Sequence, residues 1–181
     1  NSLSANNIAQ KSITLVKDDL NLLPIKSSDI GKILHLQLSL DDDVKEMLNP
    51  FSRNIRYTHK NVEEYYVQES LSENRILDII NKANEATLTI VSLLVRIKMD
   101  KGIATIDSTH ALLLEKLFDN NIPFITLSFG SPYLPSYDYI PTYVCTYGYG
   151  KLSLRAAANA IFGRHTIEGQ LPINLSEVYP I

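Results

Sequence analysis

Leu88-Thr89-Ile90-Val91-Ser92-Leu93-Leu94-Val95 is an almost unbroken apolar run, rich in branched side chains and interrupted only by two small hydroxyls. Its length suits a strand rather than a helix, and a strand this apolar is covered on both faces, as in a parallel sheet between helix layers. The flanking segments agree. Ser72 stands where an N-cap belongs, and Ile76, Ile79, Ile80 and Ala83 then share one face of a helix by their three-to-four residue spacing. Downstream, Asp107 or Ser108 opens a helix with Ala111, Leu114, Leu117 and Phe118 inward, and Ile122 to Ser128 is the next buried strand. Tyr143 to Tyr147 is a shorter strand. Lys151 or Ser153 starts a last helix with Leu154, Ala157, Ala158 and Ile161 on its apolar face, closed by Gly163 in the left-handed conformation.

The first half follows the same rhythm less cleanly. Ser4 is placed to cap a short helix through Gln10, and Ser12-Ile13-Thr14-Leu15-Val16 reads as a strand that ends before a turn at Leu23-Pro24. Ile33 to Leu38 alternates toward its end, as a strand with one less protected face does. Asp43 with Glu46 has capping-box spacing, Pro50 is expected to end that short helix, and Ile55 to Thr58 reads as another strand. Strands that alternate with helices predict right-handed crossovers and an open α/β sheet with helices on both faces. With no internal repeat and no Gly/Ser linker, residues 1–181 are expected to form a single domain.

Composition narrows the function classes. The chain has 181 residues, too few for a (β/α)8 barrel of about 250. Seventeen Lys and Arg against 20 Asp and Glu leave a net charge of −3, which argues against nucleic acid as a partner. Hydrophobic residues at 45% and charged residues at 20% are those of an ordinary globular protein. Cys145 is the only cysteine, so neither an internal disulfide nor a multi-cysteine zinc site is expected. The most apolar stretch, Leu88 to Ile97, is about half of what a membrane span requires and includes Arg96, so no membrane span is expected. The chain starts at Asn1 without an initiator Met or a signal-peptide pattern, and the expectation is either a processed product or a piece of a longer polypeptide.

Ligands of doubly wound sheets sit beyond the carboxyl ends of the strands, which directs attention to three segments: Arg96 to Gly102, Ser128 to Tyr133, and Tyr147 to Gly150. The middle one is richest. Ser128 and Ser131 supply hydroxyls, Gly130 admits close backbone approach, and Phe129 and Tyr133 supply flat faces of the kind that meet sugars or another domain, with Pro132 between them. A tight turn built on Gly and Pro accounts for the same residues. Neither serine sits in a G-x-S-x-G elbow. Gly148-Tyr149-Gly150-Lys151 misses the phosphate-loop spacing, since Cys145 holds the first glycine position and Leu152 that of the Ser/Thr. Asp41-Asp42-Asp43 lacks the partner Asp and Lys of a phosphoacceptor domain and reads as a solvated helix start. His35, His59, His110 and His165 have no metal-ligand spacing, Asp107-Ser108-Thr109-His110 coincides with a helix cap, and Asp100, Asp138, Glu168 and Glu177 form no spaced carboxylate pair. No catalytic residue, metal or cofactor is assigned.

The ordered segments nevertheless resemble a known family. Ile8 to Asp18 with Leu22-Leu23-Pro24-Ile25 is similar to the "A…SITLLKN…LLPL" opening of the C-terminal domain of glycoside hydrolase family 3. Val91 to Arg96, Ile122-Pro123 to Pro132-Tyr133, Ala156 to Gly163 and Gly169-Gln170-Leu171-Pro172-Ile173 follow in the same order. The resemblance implies a three-layer, flavodoxin-like sandwich with a mostly parallel sheet of about six strands, set behind an N-terminal (β/α)8 barrel. It implies that the barrel carries the aspartate nucleophile and the Lys-His sugar motif, neither of which occurs here. The Glu-Gly-x-Asp-Arg pattern of the β-glucosidase branches is also missing, and the corresponding stretch reads Met99 to Asp107.

That absence resembles the β-N-acetylhexosaminidase branch, in which the acid/base belongs to the barrel. The resemblance implies an accessory domain of a periplasmic or secreted bacterial enzyme that releases terminal β-linked N-acetylglucosamine by a retaining route. The barrel of the same polypeptide would be its partner and a carbohydrate the substrate of the intact enzyme, with Arg96 and Ser128 to Tyr133 expected at the substrate or domain interface. A free-standing α/β module for ligand or protein binding is the alternative. A domain cut from a longer enzyme is further expected to expose an apolar interface patch.

Overall fold

The structure, a computed structural model, describes residues 2–95, 106–132, 134, 137–169 and 171. Along the chain run α1 (Ser2–Lys11), β1 (Thr14–Asp18), β2 (Ile33–Leu38), α2 (Val44–Thr58), β3 (Val62–Val67), α3 (Glu73–Asn84), β4 (Leu88–Val95), α4 (Ser108–Asp119), β5 (Phe124–Gly130), β6 (Thr142–Cys145) and α5 (Lys151–Ile161). The six strands form one sheet in the order β1-β6-β5-β4-β2-β3. Every neighbouring pair is parallel except β1, which runs antiparallel to β6. This is the three-layer α/β sandwich expected.

The pleat divides the core in two. Leu34, Leu36 and Leu38 of β2 and Val91, Leu93 and Val95 of β4 face α3 and α4. The alternate residues, Ile33, Ile90, Leu94, Ile125, Leu127 and Phe129, face α2 and α5. All eight residues of β4 are buried, as its composition requires. Ser72 Oγ accepts from the Arg75 amide at 3.3 Å, so α3 begins where its N-cap was expected. Gly163 closes α5 with a φ of +70°.

The first half departs from expectation at named points. Pro50 does not end α2 but lies inside it. A mid-helix proline costs about 3 kcal/mol, whereas each buried Leu, Ile or Phe contributes about 1.5–3 kcal/mol, and Leu48, Phe51 and Ile55 are all fully buried on one face. Burial outweighs the break, and Ile55 to Thr58, read as a strand, becomes the last turn of α2. β2 has no unprotected face, because His35 and Gln37 are as buried as its leucines. Phe118 is 43% exposed rather than inward, and it packs edge-on against Tyr139 at 5.7 Å. The helix start at Ser4 also moves: α1 is already helical from Ser2.

β3 was not anticipated. As an edge strand it carries Glu63 and Glu64 in place of an apolar alternation. Glu63 bridges Lys32 and Lys82, each at 2.7 Å, and Glu64 pairs with Arg56. The two lysine hydrogen bonds hold the Glu63 carboxyl below the usual range.

The terminal segments meet. Asp18 accepts from the amides of Leu22 and Leu23 at 2.9 and 3.2 Å and from Thr142 Oγ1 at 2.9 Å, so the turn before the cis Leu23-Pro24 bond is fastened to β6. The Ile25 amide donates to the Ile161 carbonyl at 2.7 Å. Gly169 bridges Thr14, and a Cβ there would lie 2.4 Å from the Ile13 carbonyl oxygen, an approach only glycine permits. Gly169, the first residue of the closing motif, is thus packed against the opening one.

Candidate functional site

The carboxyl edge of β4 and β5 gathers most of the residues singled out above. Ser128, Phe129 and Gly130 are the last three residues of β5 rather than part of a loop. Gly130 has φ +111°, and a Cβ would stand 2.2 Å from the Val95 carbonyl oxygen. That carbonyl accepts the Ser131 amide at 3.0 Å, which turns the chain away from the sheet. Ser131 and Pro132 are buried in this turn. Arg96 and Tyr133 lie outside the described residues.

Below the turn, polar side chains from β5 and β6 are joined inside the layer that faces α3 and α4. Tyr143 Oη lies 3.0 Å from Ser128 Oγ and is also bonded to the Pro132 carbonyl. Thr146 Oγ1 lies 3.2 Å from the Ser128 carbonyl oxygen and 2.6 Å from that of Gly148, which shapes the turn after β6. Burial pushes both the Tyr143 phenol and the Cys145 thiol up, so both stay protonated near neutrality. They act as hydrogen-bonding groups, and a thiol kept neutral is a poor nucleophile.

Phe129 offers no face to a sugar. It points to the opposite layer, fully buried, with its ring 5.1 Å from Phe51, which in turn meets His35 at 5.5 Å. The aromatic surface at this edge comes instead from the turn after β6, where Tyr147 is 37% and Tyr149 43% exposed. Tyr149 leans toward Gly130, its Cδ1 3.8 Å from where a Cβ would be. The Tyr147 to Gly150 segment was thus correctly placed beyond a strand end, but the side chain it brings to Gly130 has no signature in local sequence.

Two further polar pairs were not foreseen. His35 Nε2 lies 2.8 Å from Ser92 Oγ, and Ser52 Oγ donates to Gln37 Oε1 at 3.1 Å. Burial first, and the nearby Arg56 charge second, lower the His35 pKa to about 3, so its ring is neutral. The only sequence signal was the polar residue at alternate positions of β2. Asp107 caps α4 as expected, accepting from the Thr109 amide at 2.9 Å. Burial opposes its ionisation, but hydrogen bonds from Thr109 and Ser70 outweigh that and hold its carboxyl below the usual range. Among the described residues no group of three His, Cys, Asp or Glu side chains is placed to hold a metal ion, and no helix is long and apolar enough to cross a membrane.

An apolar groove of about 300 Å³ lies on the far layer, between α3 and α4, with Ile76, Leu77, Ile80 and Leu112 along it. Leu77 and Leu112 are exposed there.

No protein-family model matches the sequence. No curated protein matches it either. Solved structures do share the fold. One is a fungal multi-domain GH3 β-N-acetylglucosaminidase that has a GCN5-related glucosamine N-acetyltransferase region, with 21% identity, a TM-score of 0.77, and coverage of 96% of this chain and 19% of that one. A glycoside hydrolase family 3 β-N-acetylglucosaminidase from Paenibacillus sp. str. FPU-7 aligns at 18% identity and TM-score 0.71, over 94% of this chain and 32% of the other. A β-glucosidase from Listeria innocua aligns at 15% identity and TM-score 0.72, over 89% and 25%. The chain has the fold of a region found in these multidomain hydrolases and spans between a fifth and a third of their length.

Proposed function

We propose that this chain is the accessory α/β domain of a family 3 glycoside hydrolase of the β-N-acetylglucosaminidase type. In this reading a (β/α)8 barrel on the same polypeptide supplies the nucleophile and the acid/base. The intact enzyme removes terminal β-linked N-acetylglucosamine with retention, and these 181 residues shape one wall of the site. Ser131 and Pro132, with Arg96 and Tyr133, form the segment that faces the barrel, while Ser128, Phe129 and Gly130 set its position from within the sheet.

The observation that carries the reading is the whole-length match in fold to one region of much longer β-N-acetylglucosaminidases. The chemistry of the strand-end turn supports it. Its described residues offer hydroxyls and backbone groups but no carboxylate, so it can position a sugar or a neighbouring domain without protonating a glycosidic oxygen.

The test is turnover of 4-nitrophenyl N-acetyl-β-glucosaminide. The isolated chain is expected to release no nitrophenol, and a polypeptide extended N-terminally through the barrel to release it. Turnover by the isolated chain, or an upstream reading frame without a barrel, overturns the proposal.

A further inference from the structure

On the outer surface of the α2/α5 layer a groove of about 760 Å³ is lined by Arg53, Arg56, Tyr57, Lys60, Lys151 and Arg155. Five of the chain's 17 Lys and Arg residues thus surround one recess in a molecule of net charge −3, and among the described residues no carboxylate lines it. Among the described residues Arg56 is the member neutralised by an ion pair, with Glu64. Arg155 Nη2 donates to the neutral Asn6 Oδ1 at 2.8 Å, and Lys60 Nζ to the Tyr57 carbonyl at 3.3 Å. Arg53 and Lys151 have no carboxylate partner among the described residues. Like charges gathered this way repel one another and concentrate counter-ions, and a recess focuses that field.

The shape and the lining select among anions. Duplex nucleic acid is read by elements that protrude into its grooves, and this is a recess between helices. Single strands are held by successive aromatic platforms, whereas Tyr57 is the one aromatic residue of the lining. Tyr57 is 74% exposed, with Lys60 Nζ and the Arg164 guanidinium over its ring at 5.4 and 5.9 Å from the centroid. The exposed remainder of a ring that carries cations suits a pyranose that bears an acidic substituent, its C–H groups on the open part of the tyrosine and its charge on the guanidinium and ammonium groups. We propose that this groove binds an anionic polysaccharide, a chain of sugar rings carrying carboxylate or sulfate groups. The proposal stands apart from the strand-end turn and from the activity of any barrel.

Titration calorimetry of the 181-residue chain with polygalacturonate and with heparin tests it, and the response to each shows whether carboxylate or sulfate is preferred. Binding of at least one is expected, and it should weaken as salt rises. Arg53→Gln with Lys151→Gln should lower affinity roughly tenfold and the salt slope by about one to two. Tyr57→Ala should weaken binding while leaving that slope unchanged. Arg75→Gln with Lys116→Gln, which removes the same charge from exposed positions on the opposite layer, should change affinity less than about twofold. All of these side chains lie on the surface, so thermal melting should stay as in the parent. Failure of both polysaccharides to bind at low salt overturns the proposal, as does an equal loss in the opposite-layer variant. Binding of oligothymidylate or polyglutamate as tight as that of the polysaccharides assigns the groove to a nucleic acid or an acidic peptide and overturns it too.

Discussion

The Tyr143 hydroxyl and the Ser128 hydroxyl, 3.0 Å apart, tie β6 to β5 beneath the strand-end turn. Tyr143 has one proton to give, and its second partner, the Pro132 carbonyl, can only accept. The phenol therefore donates to Pro132, and Ser128 donates to the phenol. Removing the phenol oxygen takes the donor from the buried Pro132 carbonyl and one partner from the buried Ser128 hydroxyl. Tyr143→Phe is expected to cost about 1–3 kcal/mol in urea unfolding, and to speed hydrogen exchange of the Ser131 amide. Exchange at the parent rate would show that the turn does not depend on this bond.

Gly130 gives a sharper case. Its φ of +111° and the Val95 carbonyl 2.2 Å from a would-be Cβ leave an alanine no place without moving β4 or β5. Gly130→Ala should destabilise by about 2–4 kcal/mol, through backbone strain and the lost Ser131 to Val95 bond. A melting temperature within a degree or so of the parent would contradict that geometry.

His35 makes stability depend on pH. Its folded pKa is about 3 against 6.5 for the unfolded chain, so the unfolded state binds the proton first. The stabilisation is fully present above pH 6.5 and is lost as pH falls toward 3, by up to about 1.4 kcal/mol per pH unit. Between pH 7 and pH 5 the parent should lose roughly 2 kcal/mol from this group, and His35→Gln should lose correspondingly less. Parallel urea midpoints for the two proteins across that range would disprove the assignment.

Pro50 is a local fault tolerated for the sake of burial. Pro50→Ala restores a donor to the Glu46 carbonyl inside α2, and a gain of about 1–3 kcal/mol is expected from chemical denaturation. A loss of stability would mean that the ring itself packs usefully beside Leu152 and Arg155.

The legibility of the chain tracks burial. β4 and α3 could be read directly because nearly every inward position is Leu, Ile, Val or Ala, and the order of β4, α4, β5, β6 and α5 followed. The failures occur where tertiary contacts override a local signal. Pro50 marks a helix end only if nothing rewards continuing, and here Phe51 and Ile55 do. Val62 to Val67 carries its charges because ion pairs across the edge satisfy them, and periodicity cannot report that. At the candidate site, Gly130 and Pro132 pointed to the turn, but the inward course of Phe129 and the approach of Tyr149 depend on where β5 ends, which is Gly130 and not the expected Ser128. The basic groove joins residues about a hundred positions apart, and a charge sum of −3 conceals it.

The acids of β3 have one further effect. A sheet whose last strand is open invites a second copy to continue it, backbone to backbone. Here any newcomer beside β3 would meet the Glu63 and Glu64 carboxylates already bound to Lys32, Lys82 and Arg56, and would have to dislodge or desolvate those ion pairs to come within hydrogen-bonding distance. The charges that hid this strand from a reading by hydrophobicity thereby disfavour strand addition at this edge.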